Sequence, residues 1–161
     1  MTVPARVREW LDQQKVQYEV IPHREAYTAQ EVAGAAHVPG RAFAKVVILK
    51  GRQGLTMAVL PAKCRLDVAR MQQLLNDSTA TLDPEADFAK TFIGCEPGAM
   101  PAFGNLYGVP VYFDQHLVKE TVITFPAGSH HEVIRIASND FLRLTGAQVQ
   151  DICESPREEV A

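Results

Sequence analysis

Ala44-Lys45-Val46-Val47-Ile48-Leu49-Lys50 and Leu55-Thr56-Met57-Ala58-Val59-Leu60 are two apolar, β-branched runs joined by Gly51-Arg52-Gln53-Gly54. Two such runs across a short glycine-bearing connection predict a β-hairpin. Both runs are apolar on both faces, which places the hairpin in the middle of a sheet covered on each side. Within the first run Lys45 shares a face with Val47 and Leu49, so its ammonium must reach a rim or meet an anion, because burying it unpaired is costly.

Working outward, Val7, Trp10 and Leu11 have helical spacing within Pro4 to Lys15, and Tyr18 to Ile21 reads as a strand stopped by Pro22. Thr28-Ala29-Gln30-Glu31 has the form of a capping box for a short helix that Pro39-Gly40 ends. Asp67 can cap a helix carrying Val68, Met71, Leu74 and Leu75, and Asp83-Pro84-Glu85 can start another through Phe88 and Phe92. Val109 to Phe113, Thr121 to Phe125, Glu132 to Ile136 and Ala147 to Ile152 read as strands, with a helix after Ser138 or Asn139. Strands and short helices alternate without a strict βαβ rhythm. The expectation is a mixed α/β (α+β) fold, a single domain over residues 1–153 with a curled mixed sheet surrounded by short helices, and a frayed acidic tail at 154–161.

The chain has 161 residues, 47% hydrophobic and 22% charged, enough to bury one core. That apolar share excludes disorder, and no apolar run approaches the roughly 20 residues of a membrane span. The start carries no secretory pattern, and Cys64, Cys95 and Cys153 form neither a disulfide framework nor a zinc motif. A cytoplasmic protein without cofactor or metal is expected. The net charge is −3, yet the window Arg41 to Arg70 holds seven bases against the single acid Asp67. That window is +6 and the remainder −9, so any nucleic-acid contact should be confined to a small face.

Three places can carry chemistry. Lys45 can hold a phosphate or carboxylate, although a strand-end lysine reaching solvent reads equally well. Gly94-Cys95-Glu96-Pro97-Gly98, continuing through Pro101 and Phe103 to Gly104, is rich in glycine and proline; such a loop can bring backbone N–H groups close to an oxyanion. Gly128-Ser129-His130-His131 ends in two histidines on opposite sides of the chain, one of which can face a substrate. A metal held by the histidine pair lacks further ligands at sensible spacing, and Cys95 lacks the groups that would make it a nucleophile. P-loop, GxGxxG, HExxH and GxSxG patterns do not occur, which removes support for nucleotide hydrolysis, hydride transfer, zinc proteolysis and serine esterase chemistry.

At these same residues the chain resembles the YbaK/EbsC family of aminoacyl-tRNA deacylases, related to the editing domain of bacterial prolyl-tRNA synthetases. The matching pieces are Lys45 in Ala44-Lys45-Val46-Val47-Ile48, Gly94 to Gly98 through Pro101-Ala102-Phe103-Gly104, the strand ending Phe113-Asp114, and Ala127-Gly128-Ser129. The resemblance implies hydrolysis of the ester joining a small wrong amino acid (Ala, Cys, Ser or Thr) to tRNA, with the tRNA for proline favoured. It implies that Lys45 meets a phosphate of the terminal adenosine while Gly94 and Gly98 bound the loop facing the ester. Cys95, Glu96, Pro97, Pro101, Phe103, Gly128, Ser129, His130 and His131 would line the substrate. The implied partners are the acceptor end of a mischarged tRNA and an aminoacyl-tRNA synthetase, with neither DNA nor membrane. A non-catalytic module binding tRNA or a synthetase through the same fold is the alternative. Gly128-Ser129-His130-His131 matches neither the cysteine-specific nor the alanine-specific pattern, which leaves the amino acid open.

Overall fold

The hairpin forms as its sequence predicts. In a computed structural model describing residues 4–83, 91–96 and 98–154, β2 (Ala44–Gly51) pairs antiparallel with β3 (Gly54–Pro61), Lys45 opposite Leu60 and Lys50 opposite Leu55. The turn is braced by Asp77, whose carboxylate accepts the Arg52 N–H at 2.7 Å, the Arg52 Nε–H at 3.2 Å, the Thr79 N–H at 2.9 Å and the Thr79 hydroxyl. This carboxylate lies directly over Gly51, leaving no space for a side chain there.

Those hydrogen bonds, the Thr79 hydroxyl first and then the backbone N–H groups of Arg52 and Thr79, lower the Asp77 pKa to about 2. A carboxyl with a lowered folded-state pKa adds stability that is complete above its unfolded value and lost as pH falls through the folded one. Urea denaturation midpoints should therefore drop between about pH 5 and pH 2. Asp77→Asn should flatten that part of the acid slope; an unchanged slope would assign it to other groups.

The five-stranded sheet has the order β4 (Thr81–Leu82), β2, β3, β5 (Val111–Asp114), β8 (Gln148–Gln150); the hairpin lies inside it, and β3, β5 and β8 run parallel. A second sheet is antiparallel, with β7 (Glu132–Ala137) between β1 (Tyr18–Pro22) and β6 (Val122–Ser129). A single bridge, Phe43 to Thr124, joins the two, so the curled mixed sheet is split into pieces of three and five strands.

Among the described residues, four of the five α-helices follow their sequence signals, α1 (Ala5–Gln13), α2 (Ala29–Ala35), α3 (Val68–Leu75) and α5 (Ser138–Thr145); α4 (Gln115–Val118) is one turn capped by Asp114. The capping box at α2 is complete: Thr28 Oγ1 accepts the Glu31 N–H at 3.1 Å, and the Thr28 N–H donates to Glu31 at 3.3 Å. Asp67 caps α3 through the Arg70 N–H.

Several boundaries differ from expectation. Ala137 rather than Ser138 or Asn139 caps α5, because the Ser138 hydroxyl is taken by the Glu120 carbonyl at 2.5 Å. The final strand covers only Gln148–Gln150, and β6 runs on through an irregularity between Pro126 and Ser129. β4 has no counterpart in the sequence reading. The helix expected after Asp83 and the tail from residue 155 lie outside the described residues. No helix among the described residues is long and apolar enough to cross a membrane.

The core centres on phenylalanines. Phe103 packs on Trp10, Phe125 and Phe141 at ring separations of 5.1, 5.2 and 5.6 Å, and Phe113 stacks on Phe141 at 5.2 Å. Along β2, Ala44 and Ile48 face this core while Leu49 faces a smaller one beneath α3.

Candidate functional site

The split between the sheets creates the site. The Asp83 N–H donates to the Ile48 carbonyl at 2.9 Å, and the Thr124 N–H donates to the Ala42 carbonyl at 3.2 Å. Backbone groups alternate sides along a strand, so Ala42, Ala44, Val46 and Ile48 address the edge away from β3. β4 takes one end of that edge and β6 the other, which leaves the Val46 N–H and C=O directed into the gap.

A cleft of about 310 Å³ opens there. Lys45, Val46 and Ile48 form its floor, Gly98 and Met100 one wall, and Ser129 with His130 another. Tyr27 stands at its mouth, 59% exposed, its ring packed on His130 at 4.7 Å and its hydroxyl donating to Glu25. Lys45 is half-buried. Burial draws its pKa below the ordinary lysine value, with nearby Cys64 and Cys153 acting the other way and Arg65 reinforcing the fall.

The loop and the β6 irregularity are zipped together. The Glu96 N–H donates to the Gly128 carbonyl at 2.8 Å, the Gly128 N–H to the Ala99 carbonyl at 2.8 Å, and the His130 N–H to the Glu96 carboxylate at 3.3 Å. Gly128 has φ +98°, and a Cβ there would collide with Pro4. Glycine is thus required on both conformational and spatial grounds. The bonds also consume N–H groups that the sequence reading assigned to an oxyanion: those of Cys95, Glu96 and Ala99 are bonded within the loop and bulge. Among the described residues the Gly98 N–H has no acceptor, and Gly98 lines the cleft with φ +82°.

Of the residues singled out from sequence, Lys45, Gly98, Ser129 and His130 meet in the cleft, and Glu96 and Gly128 build its wall. Gly94 lies by Pro4, and His131 turns outward to Glu25 at 4.0 Å. Pro101 is buried outside the cleft lining, and Phe103 is fully buried in the aromatic core, so neither is placed to touch a substrate. Pro97 lies outside the described residues. Cys95 hydrogen-bonds Tyr107 at 3.6 Å, and burial pushes its thiol pKa up, the reverse of what a nucleophile needs. Tyr27, Val46 and Met100 were not anticipated. An aromatic residue directly before the α2 capping box was the available signal for Tyr27.

The basic window is dispersed: Arg52 pairs with Asp77 at the hairpin turn and Arg41 with Glu120 at 3.5 Å. Lys45 and Arg65 remain together at the opposite end of the hairpin from Arg52.

Solved structures share this fold. A candidate trans-editing enzyme for prolyl tRNA synthetase superposes with TM-score 0.83 at 23% identity, covering 93% of this chain and 96% of its own. A candidate signal transduction protein from Marinobacter aquaeolei superposes with TM-score 0.74 at 16% identity, over 94% of this chain and 31% of its own. In sequence the chain is 37% identical over 92 residues to a proline–tRNA ligase from Fervidobacterium nodosum, a match over 57% of this chain and only 16% of the ligase. The model of the aminoacyl-tRNA editing domain matches residues 23–144, which takes in Lys45, the Gly94 to Gly98 loop and His130. With the YbaK-like fold and those residues in one framework, the chain belongs to the aminoacyl-tRNA editing domain family.

Proposed function

We propose that the chain is a trans-editing hydrolase, cleaving the ester between a small mischarged amino acid (Ala, Cys, Ser or Thr) and tRNA, with the tRNA for proline as first choice. The observation that carries this reading is the meeting in one cleft of a half-buried cation, Lys45, with a loop N–H, that of Gly98, which has no acceptor among the described residues. Lys45 holds a phosphate near the tRNA terminus. The Gly98 N–H and the Ser129 hydroxyl lie where an ester carbonyl can take a hydrogen bond as its oxygen gains charge. The Val46 carbonyl, on the strand edge away from β3, accepts from the substrate's ammonium.

No side-chain nucleophile is needed, because an aminoacyl ester is already activated. Water adds its hydroxyl to the carbonyl carbon, the bond to the ribose oxygen breaks, and that oxygen takes up a proton. The exposed Tyr27 ring, tilted 49° against His130, offers an aromatic face for the terminal base. Tyr27→Ala should raise KM about tenfold, the size of one lost base–aromatic stack, with kcat little changed and Tyr27→Phe close to wild type. A fall in kcat at constant KM would remove the stacking role.

A panel of mischarged tRNAs, each followed for release of free amino acid, tests the function itself. At least one small amino acid should be released well above the buffer rate. Salt-sensitive tRNA binding without turnover on any member would instead identify a binding module.

A further inference from the structure

Asp114, His116 and Cys153 offer a carboxylate oxygen, a ring nitrogen and a thiol sulfur that all lie within 4.8 Å of one another. Among the described residues they are the one group of three with such spacing. The set forms where the C-terminal segment docks: Cys153 bridges Leu66, the Glu154 N–H donates to the Arg65 carbonyl at 2.7 Å, and the Asp67 N–H donates to the Ile152 carbonyl at 2.8 Å. Cys64, two residues before Leu66, packs in the same small core, its thiol in hydrogen-bond contact with that of Cys153.

The carboxylate is oriented in advance. Asp114 is fully buried and accepts the Ile152 N–H at 3.0 Å, the His116 N–H at 3.0 Å and His116 Nδ1 at 2.7 Å. Oδ2 takes both His116 contacts and Oδ1 only the Ile152 N–H, so Oδ1 is the oxygen with a lone pair left for an ion. The His116 side chain is 46% exposed, so an ion can enter from solvent through the imidazole side.

Cys64 and Cys153 are both free thiols, and thiolate sulfur binds a zinc-class ion at about 2.3 Å.

We propose that Asp114, His116 and Cys153, with the Cys64 thiol turning in from beside Cys153 as the fourth ligand, form a tetrahedral site for a divalent metal ion of the zinc class. Two sulfurs with one nitrogen and one oxygen select such an ion over magnesium or calcium. On binding, both thiols release their protons as the dication enters. The set therefore carries the single negative charge of Asp114 both empty and filled, next to the cations Lys45 and Arg65. Burial, with Cys64 and Asp114 adding to it, raises the Cys153 pKa, so an entering ion must displace the Cys153 proton. A filled site would pin the C-terminal segment to β5 and to residues 64–67 beside Lys45.

The proposal does not depend on the deacylase reading, and its test uses no tRNA. The full chain, reduced and stripped of metal, is titrated with Co²⁺. One equivalent should produce the intense visible bands of tetrahedral cobalt with a thiolate charge-transfer band, and one equivalent of Zn²⁺ should abolish both. Calorimetry in two buffers of different ionisation enthalpy should report about two protons released per ion. Cys153→Ser should lose the charge-transfer band or shrink it strongly, and Cys95→Ser should keep the full spectrum. His116→Ala, at an exposed position that leaves the fold intact, should weaken binding at least about tenfold. Zn²⁺ should raise the Tm of the wild type more than that of His116→Ala. Absence of a thiolate band, a spectrum unaffected by Cys153→Ser, or a Cys64–Cys153 disulfide persisting under reductant would each overturn the site.

Discussion

Lys45→Ala is expected to lower kcat/KM for the edited aminoacyl-tRNA by about a hundredfold, while the Tm stays within a few degrees of wild type. A hundredfold loss corresponds to roughly 2.7 kcal/mol of transition-state stabilisation, the size associated with removing one preorganised polar group. Stability should hold because Lys45 is half-buried on a largely apolar face, where an alanine leaves no unpaired charge behind. The salt dependence gives a second reading: if Lys45 meets one phosphate, the slope of log affinity against log salt should become shallower by about one. Full activity in this variant would sink the proposed function as argued from the cleft.

Phe103→Ala should act in the opposite way, on stability and not on the cleft. Phe103 joins Trp10 on α1 to Phe125 on β6 and Phe141 on α5, so its ring ties the three-stranded sheet to two helices. Truncating a fully buried phenylalanine typically costs about 3–5 kcal/mol, part transfer free energy and part cavity. Chemical denaturation should show that loss, with Phe103→Leu costing less and still hydrolysing substrate at near wild-type kcat. If Phe103→Leu instead kept its stability and lost activity, Phe103 would belong to the substrate after all.

The same residue illustrates what the sequence can and cannot convey. Phe103 stands in a glycine- and proline-rich loop that reads as functional, yet a loop can anchor itself by driving a ring into the core. Local signals were dependable where the cause is local: the capping box at Thr28, the Asp67 cap and the hairpin at Gly51 to Gly54 each formed as expected. The cleft was only partly legible. Lys45, Gly98, Ser129 and His130 were recognisable as unusual residues, but the gap that unites them exists because β4 and β6 each cover a different end of β2. Such pairing between distant segments leaves no trace in periodicity. Val46 stayed invisible because its contribution is backbone, and His131 was indistinguishable from His130 until the turn fixed which one faced inward.

The uncovered middle of β2 has a further consequence, for self-association. An unpaired strand edge ordinarily invites another sheet to extend across it, and proteins guard such edges with lysines, short strands or overlying loops. Here the exposed stretch is about one residue long, recessed beneath Tyr27 and the Gly98 loop, with Lys45 and Lys50 on the same strand. A neighbouring molecule cannot bring a full strand into that slot, whereas an extended substituent no wider than a single amino acid can. The aperture thus filters by cross-section: it is closed to a neighbour's strand and open to something small.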